Sequence, residues 1–277
     1  MTRLLIRSAA ACVAALFVLF PATIPVNGQA PYRILLTNDD GIRAPGLAAM
    51  AEALKPLGEV TIIAPSENHS GTGHGISLSD AIYVDRVEVA GLQATSLTAT
   101  PASCVRVALS TLLSTKPDLV VSGVNRGSNF GLNAYISGTV AAAREAAMQG
   151  VPAIASSLDI SGHPNYGPAA AATAQVVAIV KAGGLPKGVF LNVNVPAGAE
   201  FKGLKLARQS EQMGTERFEE TKTPYGRRVL WSFFQQPAGA EPGSDVQAAL
   251  DGFVAITPLA ASEFSQPAFD VLQKRIR

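Results

Sequence analysis

From Tyr32 onward the chain alternates short apolar runs with segments of helical periodicity. Ile34-Leu35-Leu36 marks Tyr32 to Thr37 as a buried strand. Pro45 opens a helix that sets Leu47, Met50 and Leu54 on one face, with Pro56 and Gly58 beyond its end. Val60 to Ala64 is a second strand, stopped at Pro65, and a polar, glycine-rich loop runs from Ser66 to Ser79. The pattern then predicts one or two short strands over Ala81–Leu97 and a helix over Ser103–Ser114 capped by Ser103. It continues with a strand at Leu119–Ser122, an Ala-rich helix at Thr139–Gln149 and a strand at Ala153–Ser157. A helix at Ala169–Ala182 and a strand at Val189–Val195 complete the run.

This order implies an α/β fold with a doubly wound, mostly parallel Rossmann-like sheet and right-handed crossovers. After Pro196 the pattern changes. Residues 200–245 carry many charges around Pro224-Tyr225-Gly226, which sits between two extended candidates. A protruding β-hairpin or small C-terminal subdomain is expected there, its arms either simply solvated or gripping a neighbouring subunit. Val254-Ala255-Ile256 returns to the core as a strand, and a closing helix starts near Ser262.

The first 30 residues read differently. Arg3 and Arg7 precede an apolar block from Ala9 to Phe20, then Pro21, Pro25 and the small-x-small site Gly28-Gln29-Ala30. That is the layout of a cleaved signal peptide, and the block is short for a span of about 20 residues. Residues 1–30 are therefore expected to direct export to the periplasm, leaving one domain over 31–277. An uncleaved N-terminal membrane anchor is the lesser alternative. The whole chain has 22 Lys and Arg against 21 Asp and Glu, and the leader's two arginines leave 20 bases. A charge so near zero carries no footprint for a nucleic-acid polymer or a membrane surface. Cys104 is the one thiol after the leader and lies in an apolar stretch, so it reads as a small core residue.

The candidate chemistry lies where strands give way to loops. In parallel α/β sheets ligands bind outside the carboxyl ends of strands. Asp39 and Asp40 follow the first strand as adjacent carboxylates, and Gly41 permits the turn needed for both to serve one centre. Such a pair makes a hard oxygen site for Mg²⁺ or Mn²⁺, or else simply caps the next helix. Three other polar segments fall at strand ends: Ser66–Gly71, Ser122–Asn129 and Ser137-Gly138-Thr139. A Ser70 hydroxyl and an Asn125 carbonyl could complete the coordination of an ion on the two aspartates. Ser137-Gly138-Thr139 opens a helix with no acid in its first turn, which favours either a bound anion or a plain N-cap. An anion beside a divalent ion suggests a phosphoester. If this turn grips only phosphate, replacing Gly138 should leave metal affinity unchanged.

Asn38-Asp39-Asp40-Gly41 with Ala44-Pro45-Gly46, Ala64-Pro65, Asn68 and Ser70-Gly71 form one set of motifs. Ser122-Gly123-Val124-Asn125-x-Gly-x-Asn129, Ser137-Gly138-Thr139-Val140, Leu191 to Pro196 and Ile256 to Leu259 form another. Together they resemble the SurE family of survival-protein nucleotidases from about Tyr32 to Leu259. The resemblance implies a metal-dependent phosphatase acting on nucleoside 5′- and 3′-monophosphates through metal-activated water. It implies one divalent ion, Mg²⁺ or Mn²⁺, held by Asp39, Asp40, Ser70 and Asn125. Asp39 and Asp40 then form the catalytic pair, and Ser137, Gly138, Thr139 and Asn129 bind substrate. A homodimer or homotetramer is implied as well. The short leader block and near-zero charge predict no stable membrane insertion. The chain departs from the family in its export signal, in Ser103 where Asp is common, and in the Asn133–Ile136 stretch.

His69 near such a centre could protonate a leaving oxygen, although His69, His74 and His163 all lie in polar loops where histidines commonly face solvent. Trp231 reads as packing within the hairpin. Two other functions compete. A haloacid-dehalogenase-type phosphatase needs Asp-x-Asp, which the adjacent pair does not supply. A periplasmic binding protein would share the leader and the α/β order but would not turn over a phosphate ester.

Overall fold

A computed structural model describes residues 30–160, 164–235 and 239–276. The proposed leader and His163 lie outside these residues. Eleven strands and six helices are described. The strands are β1 (Arg33–Thr37), β2 (Glu59–Pro65), β3 (Val84–Val89), β4 (Leu92–Leu97), β5 (Leu119–Arg126) and β6 (Ala153–Leu158). They continue as β7 (Val189–Val195), β8 (Leu204–Leu206), β9 (Thr215–Lys222), β10 (Arg228–Gln235) and β11 (Val254–Ala260). The helices are α1 (Pro45–Leu54), α2 (Pro101–Val107), α3 (Gly138–Met148), α4 (Tyr166–Gly183), α5 (Asp245–Leu250) and α6 (Gln266–Gln273).

Nine strands form one sheet in the order β3-β4-β2-β1-β5-β6-β7-β11-β8. From β4 to β7 all pairings are parallel, whereas β3 on β4 and β11 on β7 are antiparallel. Alternate residues of β1 serve opposite faces. Ile34 and Leu36 join the layer of α1 and α4, while Leu35 joins that of α2 and α3. Burial on both faces explains the apolar runs in the sequence.

The chain winds outward from β1 to β2 and β4, then returns across β1 to β5. That reversal leaves a crevice beyond the carboxyl ends of β1 and β5, the usual ligand position in such sheets. Thr37 lies opposite Ser122 in the register, so Asp39 and Asp40 project just past this edge. An extra residue in β5 between Ser122 and Asn125 forms a bulge against β6 and resets the face on which Asn125 emerges.

Several details differ from the sequence pattern. Strand β5 runs four residues past Ser122 to Arg126, because its pairing with β6 resumes beyond the bulge. The second helix starts at Pro101, and its cap is Thr100, whose hydroxyl accepts the Ser103 amide. Pro at the first helical position shifted the boundary, because its fixed φ favours that site. Ser103 instead lies inside the helix, accepting the Ser77 amide at 2.8 Å. Strand β8 and helix α5, within 200–245, were not anticipated. β8 joins the main sheet beside β11, and a bridge from Arg208 to Ser244 anchors the base of the hairpin β9–β10. Trp231 is exposed on that hairpin, donating to the Thr221 hydroxyl at 3.1 Å. Cys104 is fully buried as expected, and burial pushes its thiol up to about 12.

Candidate active site

Asp39 leaves β1 almost fully buried, at 3% exposure. The N-terminus of α3 holds it: the Thr139 hydroxyl donates to Oδ1, and the Thr139 backbone amide also bonds the carboxylate. Burial pushes the Asp39 carboxyl up to about 6, against the pull of Thr139 and with the Asp40 charge adding to the rise. Asp40 is more open. Its Oδ2 accepts the Arg126 amide at 2.8 Å, and its Oδ1 lies 3.5 Å from Asn68 Nδ2. Its carboxyl is also raised, chiefly by burial and despite Arg126. Gly41 makes the turn between this pair and α1 at φ +100°, where a Cβ would stand 3.0 Å from the Glu67 carbonyl carbon.

The other rim residues arrive on separate segments. The His69 amide donates to the Asp39 carbonyl at 2.8 Å, and the Ser70 amide donates to Asn68 Oδ1 at 2.8 Å. The first bond ties the Ser66–Ser79 loop to the end of β1, and the second shapes the loop around Ser70. Asn125, at 7% exposure, commits Nδ2 to the Gly127 carbonyl at 2.7 Å, so Oδ1 is the atom it has to offer. Asp39, Asp40, Ser70 and Asn125 thus contribute only hard oxygen atoms. Neither carboxylate makes an ion pair among the described residues. Two half-buried or buried carboxylates, each raised and side by side, form a site that a divalent cation would stabilise. The donor set fits Mg²⁺ or Mn²⁺, and among the described residues no cluster of three His, Cys, Asp or Glu offers a softer metal an alternative.

The proposed phosphate turn lies on the same rim, packed directly against Asp39. Ser137 caps α3, its hydroxyl accepting the Val140 amide at 3.2 Å. A Cβ at Gly138 would meet Asp39 Cβ at 2.8 Å and Oδ2 at 3.0 Å. Replacing Gly138 therefore disturbs the carboxylate itself, which overturns the expectation that metal affinity would be spared. Asn129, at 9% exposure, has contacts of another kind. Its amide donates to Asn194, its Nδ2 to Ser157, and its carbonyl accepts from Asn192 and Asn194. These bonds fasten the loop after β5 to β6 and β7.

Several contributors to the site escaped the sequence reading. Asn192 and Asn194 alternate with apolar residues inside β7, and polar residues at that spacing in a buried strand were a usable signal. Tyr166, at the start of α4, lies near enough for the Asp40 charge to raise its hydroxyl, although burial is the larger cause. Glu145, within the Ala-rich helix, is only 2% exposed at its side chain and binds His74 Nε2 and Arg106 Nε, both at 2.8 Å. No local pattern announces a partner 71 residues away. His69 is half-buried in the loop beside Ser70.

A family model described as "Survival protein SurE" matches residues 34–216. The 5′-nucleotidase SurE of Christiangramia forsetii is 40% identical over 235 residues, covering 82% of this chain and 90% of the relative. The 5′-nucleotidase SurE of Geobacter sulfurreducens is 41% identical over 244 residues, covering 87% and 92%. Among solved structures, the Sure protein from Aquifex aeolicus superposes with a TM-score of 0.77 at 34% identity, covering 88% of this chain and all of that one.

Proposed function

The chain belongs to the SurE family, and on that premise we propose that it is a divalent-metal-dependent phosphatase hydrolysing nucleoside 5′- and 3′-monophosphates. The observation that carries this reading is the pair of raised, side-by-side carboxylates, Asp39 and Asp40, at the crevice between β1 and β5. Asp39, Asp40, Ser70 and Asn125 would hold the ion. When bound, such an ion neutralises phosphate oxygens and lowers the pKa of a water to make a nucleophile.

The protein's own part is to hold its groups in place before substrate arrives. Thr139 fixes Asp39 through its amide and hydroxyl, and the Arg126 amide fixes Asp40. Of the α3 N-terminus, the Gly138 amide makes no hydrogen bond among the described residues, so it is the donor left to meet a substrate phosphate. Ser137 and Thr139 support that contact by shaping the turn. Asn129 acts on substrate through the loop it fastens. His69, on the Ser66–Ser79 loop with its amide on the Asp39 carbonyl, is the candidate acid for the leaving oxygen.

Turnover decides between catalysis and simple binding. Metal-stripped protein is assayed on nucleoside 5′-monophosphates, 3′-monophosphates and p-nitrophenyl phosphate, with and without Mn²⁺ or Mg²⁺. Hydrolysis that appears only with added metal supports the reading. Metal-independent turnover, or tight nucleotide binding without turnover, would sink it.

Two further proposals concern the whole molecule. Exposed Leu230, Trp231, Phe233 and Phe234 on the hairpin, with Phe269, Val271 and Leu272 on α6, suit a homodimer or homotetramer. Sedimentation that gives only monomers at micromolar concentration would contradict it. The leader pattern of residues 1–30 supports export to the periplasm, and no helix among the described residues is long and apolar enough to cross a membrane. Intact mass of the protein from its native envelope should show a new N-terminus near Pro31.

A further inference from the structure

We propose that Glu145 is a positioning residue for the loop bearing Ser70, acting through His74, so that helix α3 sets the spacing between the two halves of the site. The metal reading above is its premise. The N-terminus of α3 holds Asp39 through Thr139, with Gly138 in contact with the same side chain. Glu145 lies six residues further along α3, nearly two turns, and binds His74 four residues beyond Ser70. One rigid element therefore touches both a candidate ligand and the loop that carries another.

The loop needs such an anchor. None of its residues from Ser66 to Ser79 is buried, so apolar packing contributes little to holding it. Its remaining ties are the amides of Ser66, His69 and Gly73 on the carbonyls of Leu97, Asp39 and Ile136, the Asn68 side chain 3.5 Å from Asp40, and Ser77, whose amide donates to Ser103 and whose hydroxyl accepts the Thr100 amide. His74 and Arg106 face an open cleft of about 900 Å³, leaving Glu145 behind them as their anchor. Three donors, from His74, Arg106 and Gln149, converge on that carboxylate at 2.7 to 2.8 Å. Together they outweigh its burial, which alone would raise the carboxyl, and bring it down to about 2. Glu145 thus stays ionised and can hold all three at once.

A merely structural Glu145 would neutralise Arg106 and do nothing more. Amide hydrogen exchange in the metal-free protein distinguishes the two roles, together with Mn²⁺ titration. For His74→Ala, exchange at His69, Ser70 and Gly73 should rise about tenfold while the α3 amides hold their rates. Mn²⁺ affinity should fall about tenfold, as for other groups that orient a ligand from behind. His74→Gln, which keeps a donor for Glu145, should restore most of both. Glu145→Ala should match His74→Ala, and combining them should add nothing on the loop. If Glu145→Ala fails to fold, the His74 pair alone decides. Loop exchange and Mn²⁺ affinity within about twofold of wild type, beside a lowered Tm, would overturn the proposal. Wild-type protein that binds no Mn²⁺ would end the metal reading, while the exchange measurement would still test the brace.

Discussion

The rim beyond β1 and β5 and the pair formed by hairpin β9–β10 and helix α6 are opposites. At the rim, polar residues are buried and several of their bonds are met within the subunit, Asp39 by Thr139 and Asn129 by Asn192, Asn194 and Ser157, while Thr37 Oγ1, Asn38 Oδ1 and Ser122 Oγ find no partner among the described residues. On the hairpin and α6, large apolar residues stand exposed, Trp231 at 58% and Phe269 at 45%. The hairpin contacts the rest of the subunit through its base, and α6 has no buried residue. The contrast teaches where each region finds its partners. On the function proposed above, a small charged ligand would complete the rim and a large apolar surface would cover the arms.

The largest effect expected is at the rim. Asp39→Asn keeps the shape but removes the charge of a proposed metal ligand, and should cut turnover more than tenfold, at least about 1.4 kcal/mol of barrier, in saturating metal. The variant's metal-free Tm should hold or rise, because the carboxylate it loses was being pushed toward protonation. A Tm drop with activity retained would reverse the picture of the rim.

Gly138→Val comes next. Its side chain must displace Asp39, at a cost of about 1–3 kcal/mol in stability, and Mn²⁺ affinity and turnover should fall together. Normal metal binding with a raised KM alone would restore the reading of the turn as a pure phosphate grip.

A smaller and reversible effect is expected from pH. The Asp39 pKa is raised in the folded state, so its contribution favours folding at low pH and is lost as pH rises from about 4 through about 6. Glu145 is lowered to about 2, so its contribution is present above about 4.5 and is lost as pH falls toward 2. Metal-free wild type should therefore lose stability relative to Asp39→Asn as pH climbs from 4 to 7, read by chemical denaturation at each pH. A parallel pair of curves would show that the Asp39 carboxylate is not strained.

The smallest effect on the subunit itself should come from the arms. Trp231→Glu or Phe233→Glu should change stability of the isolated subunit by no more than about 0.5 kcal/mol, as for other exposed positions. Either should nonetheless shift sedimentation toward smaller species while Mn²⁺ binding survives. Loss of Mn²⁺ binding with the arms would join two regions that the structure keeps apart.

Much of this was legible in order. The apolar runs, the caps and the proline punctuation placed β1, β2, β6, β7 and α1 within a residue or two, whereas β5 runs four residues past its apolar run, to Arg126. Adjacent Asp39 and Asp40 after a buried strand already pointed to the rim. The boundary of α2 was missed because Thr100 and Ser103 are both plausible caps, and only the extended backbone at Thr100 and the Pro101 position chose between them. The three-residue β8 and six-residue α5 lack enough periods to stand out from a charged region.

The sequence by itself determined the alternation of strands and helices, the families of loops at their ends and the chemistry those loops offer. These follow from periodicity and turn residues, which act over a few positions. The tertiary structure alone decided which side chains meet. Gly138 comes against Asp39, Thr139 bonds Asp39 across 100 residues, and Glu145 meets His74 across 71. Such contacts depend on the order in which the chain lays its strands beside β1, and no local pattern encodes that order.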